Sequence, residues 1–73
     1  MRFSIEEKKN FNEGFYTAKS DFSLCKSRKE IENHIKIRSD LKKLSISRKD
    51  KNGVSFNNGY LTFLRNKLNK MVR

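Results

Sequence analysis

The sequence predicts a mostly α-helical fold, a small domain of three helices that takes in residues 1–73 as one unit. Apolar side chains recur every three or four residues in three separate segments, and two of these segments begin with a capping-box motif. A chain of 73 residues is long enough for one domain with a small core. Residues 44–56 depart from the helical pattern, and a short β-hairpin before the last helix is one interpretation of them.

The first helix is predicted at about residues 5–20. Ser4 and Glu7 have the spacing of a capping box, in which each side chain bonds the backbone amide of the other residue. The apolar residues that follow are spaced by four, three and four positions, and therefore share one helix face: Phe11, Phe15, Ala18 and Phe22. Residues 21–26 lack a period and are predicted to be a connection.

The second helix is predicted at about residues 28–44. Ser27 and Glu30 repeat the capping-box spacing. The apolar side of this helix is wide, and its members spread over about half of the circumference: Ile31, His34, Ile35, Ile37, Leu41 and Leu44.

Residues 45–56 change character. Residues 44–47 and 54–56 alternate apolar and polar side chains, as half-buried strands do, and Lys51-Asn52-Gly53 between them is a turn signal. An ordered basic loop fits the same segment, so the hairpin and the loop are alternative predictions for it. A third helix is then predicted at about residues 58–71 with Asn57 or Asn58 as its cap, and it has the clearest apolar stripe: Tyr60, Leu61, Leu64, Leu68 and Met71.

The chain contains a near-repeat, FNEGFYT at residues 11–17 and FNNGYLT at residues 56–62. Its residue types supply no base, nucleophile or metal ligand, so packing is the favoured explanation. Gly14 and Gly59 lack side chains and allow another backbone to approach. We therefore expect the two copies to lie near each other about a rough twofold, and Gly14→Leu to be destabilising. A pseudo-symmetric monomer and a homodimer both fit this repeat.

The Gly-aromatic pairs Gly14-Phe15 and Gly59-Tyr60 resemble those of the ribosome modulation factor family, small basic hibernation proteins with two short helices that each open on such a pair. The resemblance implies the ribosome as a target. The pairs are further apart here than in that family, and the Asn-Pro-Tyr turn of the family has no counterpart because the chain contains no proline.

Charge is the strongest functional signal. The formal net charge is +10, with 18 basic and 8 acidic side chains. Residues 1–34 carry a net charge of +1, whereas residues 35–73 carry eleven basic side chains and only two acidic ones, a net of +9. A polycationic half of this kind indicates a polyanionic partner.

The predicted function is therefore non-enzymatic binding of nucleic acid or a ribonucleoprotein through the C-terminal half. Lysine and arginine side chains release counterions when they meet phosphates, which favours binding. A solvated charged surface without a partner, in a chain whose many lysines reflect an AT-rich coding sequence, is the competing interpretation. The candidate nucleic-acid-binding residues are Lys36, Arg38, Lys42, Lys43, Arg48, Lys49, Lys51, Arg65, Lys67 and Lys70.

A second hypothesis is a small inhibitor or adaptor of the kind that bacteriophages encode, whose positive half would cover an acidic surface on a host protein complex. Catalysis, metal binding and cofactors are not expected, because the single His34 and single Cys25 have no clustered partners. The single cysteine and the lack of a signal-like segment favour a cytoplasmic setting, and no apolar run is long enough to span a membrane.

Overall fold

The computed structural model describes residues 4–71, and this part of the chain consists of three α-helices of similar length. They are α1 (Ile5–Leu24), α2 (Arg28–Ser47) and α3 (Lys51–Met71). Three-residue connections separate them, so each helix runs antiparallel to the one before it, as in an up-down-up bundle. The three-helix prediction is confirmed. No helix within residues 4–71 combines the length and hydropathy that crossing a bilayer requires.

α3 is the central helix of the bundle. Both α1 and α2 pack along it, whereas α1 and α2 make only marginal contact with each other. The stripe predicted on α3 explains this position, because Tyr60, Leu61 and Leu64 are all buried. The Cα radius of gyration is 12.4 Å.

The core lies where α3 meets both neighbours. Its buried side chains are Ala18, Ile31, Tyr60, Phe63 and Leu64. The Phe63 ring meets Phe15 edge-on at 5.0 Å between centroids and Phe22 at 6.0 Å. Edge-to-face pairs of this kind stabilise a small core beyond the area that they bury.

The two copies of the repeat lie against each other, as predicted. A Cβ atom added at Gly14 would overlap the carbonyl oxygen of Phe56, and its distance to the carbonyl carbon would be 2.8 Å. A Cβ atom at Gly59 would overlap the carbonyl oxygen of Phe11, again with the carbonyl carbon at 2.8 Å. The glycine of each copy thus touches the phenylalanine backbone of the other copy, which is the reciprocity that a local twofold requires.

The beginnings of the first two helices confirm the capping predictions in different degrees. Ser4 and Glu7 form the full box, with both reciprocal bonds at 3.0 Å. The Ser27 hydroxyl accepts from the Glu30 amide at 3.3 Å, but the Glu30 carboxylate accepts from the Lys26 amide rather than from Ser27. Half of the second box is therefore formed as predicted.

The end of the first helix was predicted too early. α1 continues to Leu24. Phe22 packs on Phe63, and the Asp21 carboxylate accepts a hydrogen bond from the Tyr60 hydroxyl at 2.6 Å. Contacts with α3 therefore stabilise the helical conformation of residues 21–24, although residues 21–26 lack a helical period.

The β-hairpin is wrong, and so is the loop alternative over most of its length. Residues 4–71 contain no strand, residues 44–47 complete α2, and α3 begins at Lys51 rather than at residue 58. Asp50 caps α3, because its carboxylate accepts from the Gly53 amide at 3.0 Å. The turn is made by Arg48, Lys49 and Asp50, without the glycine that suggested a turn three residues later.

Candidate functional site

The ten basic residues predicted as a nucleic-acid surface all lie on α2, on α3 or in the turn that joins them. Three are half-buried: Arg38, Lys42 and Lys67. Seven are exposed: Lys36, Lys43, Arg48, Lys49, Lys51, Arg65 and Lys70. The cations therefore divide into a group that packs between helices and a larger group that faces solvent.

Arg38 belongs to the packed group. Its guanidinium lies over the Tyr60 ring, 4.4 Å from the centroid, and 5.4 Å from the centroid of Phe56. Its Nη1 atom donates to Oδ1 of the buried Asn57 over 3.5 Å. Cation–π contacts of this kind join α2 to α3. Arg38 therefore contributes to the fold as well as to the positive potential of the surface.

Lys67 is held in a similar way. Its Nζ atom lies 5.4 Å from the centroid of Phe63 and 5.6 Å from that of Phe22, so its aliphatic chain covers the edge of the core between α1 and α3. Its charge is positioned by aromatic rings rather than by a carboxylate.

Exposed cations from α2 and α3 share one surface. Lys36, Ser39 and Lys43 are spaced by three and four residues and thus follow one face of α2. The Arg65 guanidinium reaches across from α3 to Ser39, at 3.5 Å from Nη2 to Oγ. We call Lys36, Lys43 and Arg65 the α2–α3 basic face. Arg48, Lys49 and Lys51 form a second group of exposed cations at the turn.

None of the ten cations forms a direct ion pair with a carboxylate. Within residues 4–71 the single ion pair is Arg28 with Glu32, at 3.3 Å from Nε to Oε2, and it lies outside the predicted set. Self-repulsion among unpaired positive charges destabilises a compact chain, and a polyanion relieves it. The surface is therefore electrostatically suited to bind phosphates.

His34 lies in a group of polar contacts that connects the three helices. The Tyr60 hydroxyl donates to Oδ2 of Asp21 on α1, and its oxygen lies 3.3 Å from Nδ1 of His34 on α2. Burial raises the pKa of Tyr60, and the hydrogen bond to Asp21 and the charge of Asp21 act in the same direction, so the phenol stays protonated. His34 is thus a half-buried structural contact between α2 and α3.

Cys25 has the environment of a packing residue. Its thiol donates to the Asp21 carbonyl at 3.4 Å, and it packs against the core. Burial, and then the charges of Glu30 and Asp21, raise the pKa of Cys25, which disfavours the thiolate that nucleophilic chemistry needs. Among residues 4–71 no group of three or more His, Cys, Asp or Glu side chains could hold a metal ion.

Sequence reasoning missed an open groove on the other side of α2. It has a volume of about 450 Å³ and lies between Asn10 of α1, the C-terminal half of α2 and the start of α3. Leu41 and Leu44 of α2 and Phe56 of α3 are among its lining residues, and the two leucines are 39% and 45% exposed. The width of the apolar side of α2 was the available signal, because one neighbouring helix cannot cover half of a helix circumference.

Comparison of the chain with family models, curated proteins and solved structures gives no match. The Gly-aromatic pairs also lie well inside α1 and α3 rather than at helix starts, unlike those of the ribosome modulation factor family. The functional conclusion therefore rests on the surface itself.

Proposed function

We propose that the protein binds nucleic acid, free or within a ribonucleoprotein, without catalysing a reaction. One observation carries the proposal: ten basic side chains on α2, α3 and their turn have no carboxylate partner, and seven of them are exposed. Because α2 and α3 are antiparallel and adjacent, the α2–α3 basic face brings cations of two helices to one surface, where they can follow a phosphate backbone. Ser39 and the exposed asparagines of α3 add uncharged donors of the type that fix register on phosphates; these asparagines are Asn52, Asn66 and Asn69.

The test compares two variants that lose the same charge. Lys36→Gln/Lys43→Gln/Arg65→Gln removes the α2–α3 basic face, and Lys8→Gln/Lys9→Gln/Lys19→Gln removes three exposed cations of α1. Binding to random duplex and single-stranded oligonucleotides is measured by fluorescence anisotropy across a salt series. We expect the slope of log K against log salt to become shallower by about 2–3 for duplex DNA in the first variant, because each lost phosphate contact accounts for about 0.9. The α1 variant should change the slope much less.

Two results would contradict the proposal. One is wild-type affinity weaker than about 100 μM at low salt, since non-specific binders reach about 10⁻⁴ to 10⁻⁶ M even at physiological salt. The other is an equal change of slope in the two triple variants. Far-ultraviolet circular dichroism of both variants verifies that the helices are retained.

The second candidate function, a small phage-type inhibitor or adaptor that meets an acidic protein surface, is favoured by a different observation. The groove exposes the side chains of Leu41 and Leu44, and a nucleic-acid backbone offers no apolar partner for them. Binding that survives nuclease treatment and does not depend on the α2–α3 basic face would support this function over the first.

A further inference from the structure

The groove between α1 and α2, which we call the α1–α2 groove, has an apolar wall that the protein itself does not cover. Leu41 and Leu44, which line it, are 39% and 45% exposed, and Ile37, which lies outside the lining one turn before Leu41, is 56% exposed. Their spacing of four and three residues places them in one line along α2. The line is about 10 Å long, or two helical turns, at 1.5 Å per residue.

The groove is open because of how the bundle is built. α1 and α2 both pack on α3 and barely touch each other, so the floor between them is formed by α3. Phe56 lies in this floor, where the Arg38 guanidinium partly covers its ring. The result is a trough with a volume of about 450 Å³, in which the apolar side chains of Leu41, Leu44 and Phe56 lie among polar and charged ones.

Charge determines which occupant fits. Arg38 and Arg48 both line the α1–α2 groove, and neither is paired with a carboxylate within residues 4–71. Asp50 is the one acidic side chain in the lining, and its Oδ1 atom already accepts the Gly53 amide. A second copy of a chain with a net charge of +10 would bring cation against cation, whereas an acidic occupant would be attracted.

We propose that the α1–α2 groove binds an acidic amphipathic helix of a partner protein. Apolar side chains spaced at i, i+4 and i+7 on that helix would pack against Leu41, Leu44 and Phe56, as in other helix-in-groove complexes. Its carboxylates would face Arg38 and Arg48. This inference rests on the second candidate function, for which it names the class of partner, and it is independent of nucleic-acid binding because it uses the opposite side of α2.

The experiment selects binders without assuming their sequence. A library of random 16-residue peptides is displayed and selected against the whole chain in the presence of excess oligonucleotide, which occupies the α2–α3 basic face. We expect the selected peptides to be rich in Asp and Glu, with apolar residues at helical spacing. The strongest peptide is then synthesised, and its Kd is measured by fluorescence anisotropy against matched variants.

Two pairs of variants locate the binding surface. Leu44→Ser should weaken binding about tenfold or more, the effect of truncating an anchor residue. Ile46→Ser removes a 55% exposed apolar side chain that lies two residues away and outside the groove lining, and it should have little effect. Arg48→Gln should weaken binding more than Lys43→Gln, which removes the same charge from the outer face of α2.

Several outcomes would overturn the inference. The library could yield no binders, or peptides that are neutral or basic. Leu44→Ser and Ile46→Ser could weaken binding equally. Sedimentation equilibrium could show a dimer that Leu44→Ser dissociates, which would assign the groove to a second copy of the chain. Loss of oligonucleotide binding in Leu44→Ser would assign it to nucleic acid instead.

Discussion

Gly14 and Gly59 allow α1 and α3 to pack with their backbones in contact. Each glycine faces the carbonyl of the phenylalanine in the other copy of the repeat, so neither site has room for a methyl group. Glycine in a helix interior costs about 1 kcal/mol relative to alanine. The close approach of two helices offsets this cost through the packing of Phe15 and Phe63 beside it.

Gly14→Ala and Gly59→Ala are each expected to lower the free energy of unfolding by about 1–3 kcal/mol, because the overlap with a backbone carbonyl outweighs the gain in helix propensity. Gly53→Ala is the matched control. Its Cβ atom would meet side-chain atoms rather than backbone, Asp50 at 2.5 Å and Ser45 at 2.7 Å, so its cost is limited to a shift of these two side chains, including the Asp50 cap. Urea unfolding measures all three, and a Gly14→Ala variant as stable as Gly53→Ala would contradict the explanation.

Contacts between residues that are distant in sequence differ in how far the sequence predicts them. The spacing of the repeat predicted the roles of Gly14 and Gly59, because the two copies match residue for residue. The aromatic contacts of Arg38 could not be predicted, since nothing near Arg38 distinguishes it from the other cations of α2. Its position was set by Phe56 and Tyr60, which lie on another helix.

At the scale of elements, the connection between α2 and α3 determines how the basic surface is arranged. α2 ends in a Schellman motif: the Lys49 amide donates to the Ile46 carbonyl at 3.0 Å, and the Asp50 amide donates to the Ser45 carbonyl at 2.8 Å. Lys49 has a φ of 58°, the left-handed conformation in which glycine is usual. The turn therefore forms although its sequence lacks the residue that normally marks it.

Lys49→Gly is expected to raise the free energy of unfolding by about 0.5–1 kcal/mol, because glycine adopts positive φ without the steric cost that a Cβ atom brings. Arg48→Gly is the control for loss of charge at the same turn. Arg48 has a φ of −88°, where glycine gains nothing and adds flexibility to the unfolded chain, so this variant should be no more stable than the wild type. Thermal and urea unfolding distinguish the two, and a stabilising Arg48→Gly would argue against a special role for φ at Lys49.

The hairpin prediction failed because the residues that suggested it fit a tight contact between helices. Alternating apolar and polar residues around Val54 and Ser55 are typical of a strand, and Asn52-Gly53 is typical of a turn. In the structure Ser55 and Asn57 are buried in α3, next to the helix crossing. The small or polar residues that weaken the helical pattern are those that fit the tight contact with α1 and α2.

At the scale of the whole molecule, charge and packing work against each other. The net charge is +10, the core cluster contains five buried side chains, and Arg28–Glu32 is the one ion pair within residues 4–71. Repulsion among the cations of α2 and α3 therefore lowers the stability of the bundle in the absence of a polyanion.

Added salt is expected to stabilise the free protein. Between about 20 mM and 500 mM NaCl, screening of the repulsion should raise the Tm by about 2–5 °C, because few attractive pairs are screened at the same time. Lys36→Gln/Lys43→Gln/Arg65→Gln should show a smaller rise than the wild type. Differential scanning calorimetry measures both, and a Tm that falls with added NaCl would mean that attractive pairs outweigh repulsion.

The sequence alone predicts the number of helices, their main apolar stripes and the Ser4–Glu7 capping box. It also predicts the contact between the two copies of the repeat and the excess of positive charge. These features are local or compositional. The helical period of apolar residues predicts the local ones, and the residue counts of the chain give its charge. The tertiary structure decided where α1 ends and α3 begins, which cations pack on aromatic rings, and where α2 is left uncovered. Each of these depends on contacts with α3, since a helix that is central in the bundle fixes the ends of its neighbours and the faces that they bury.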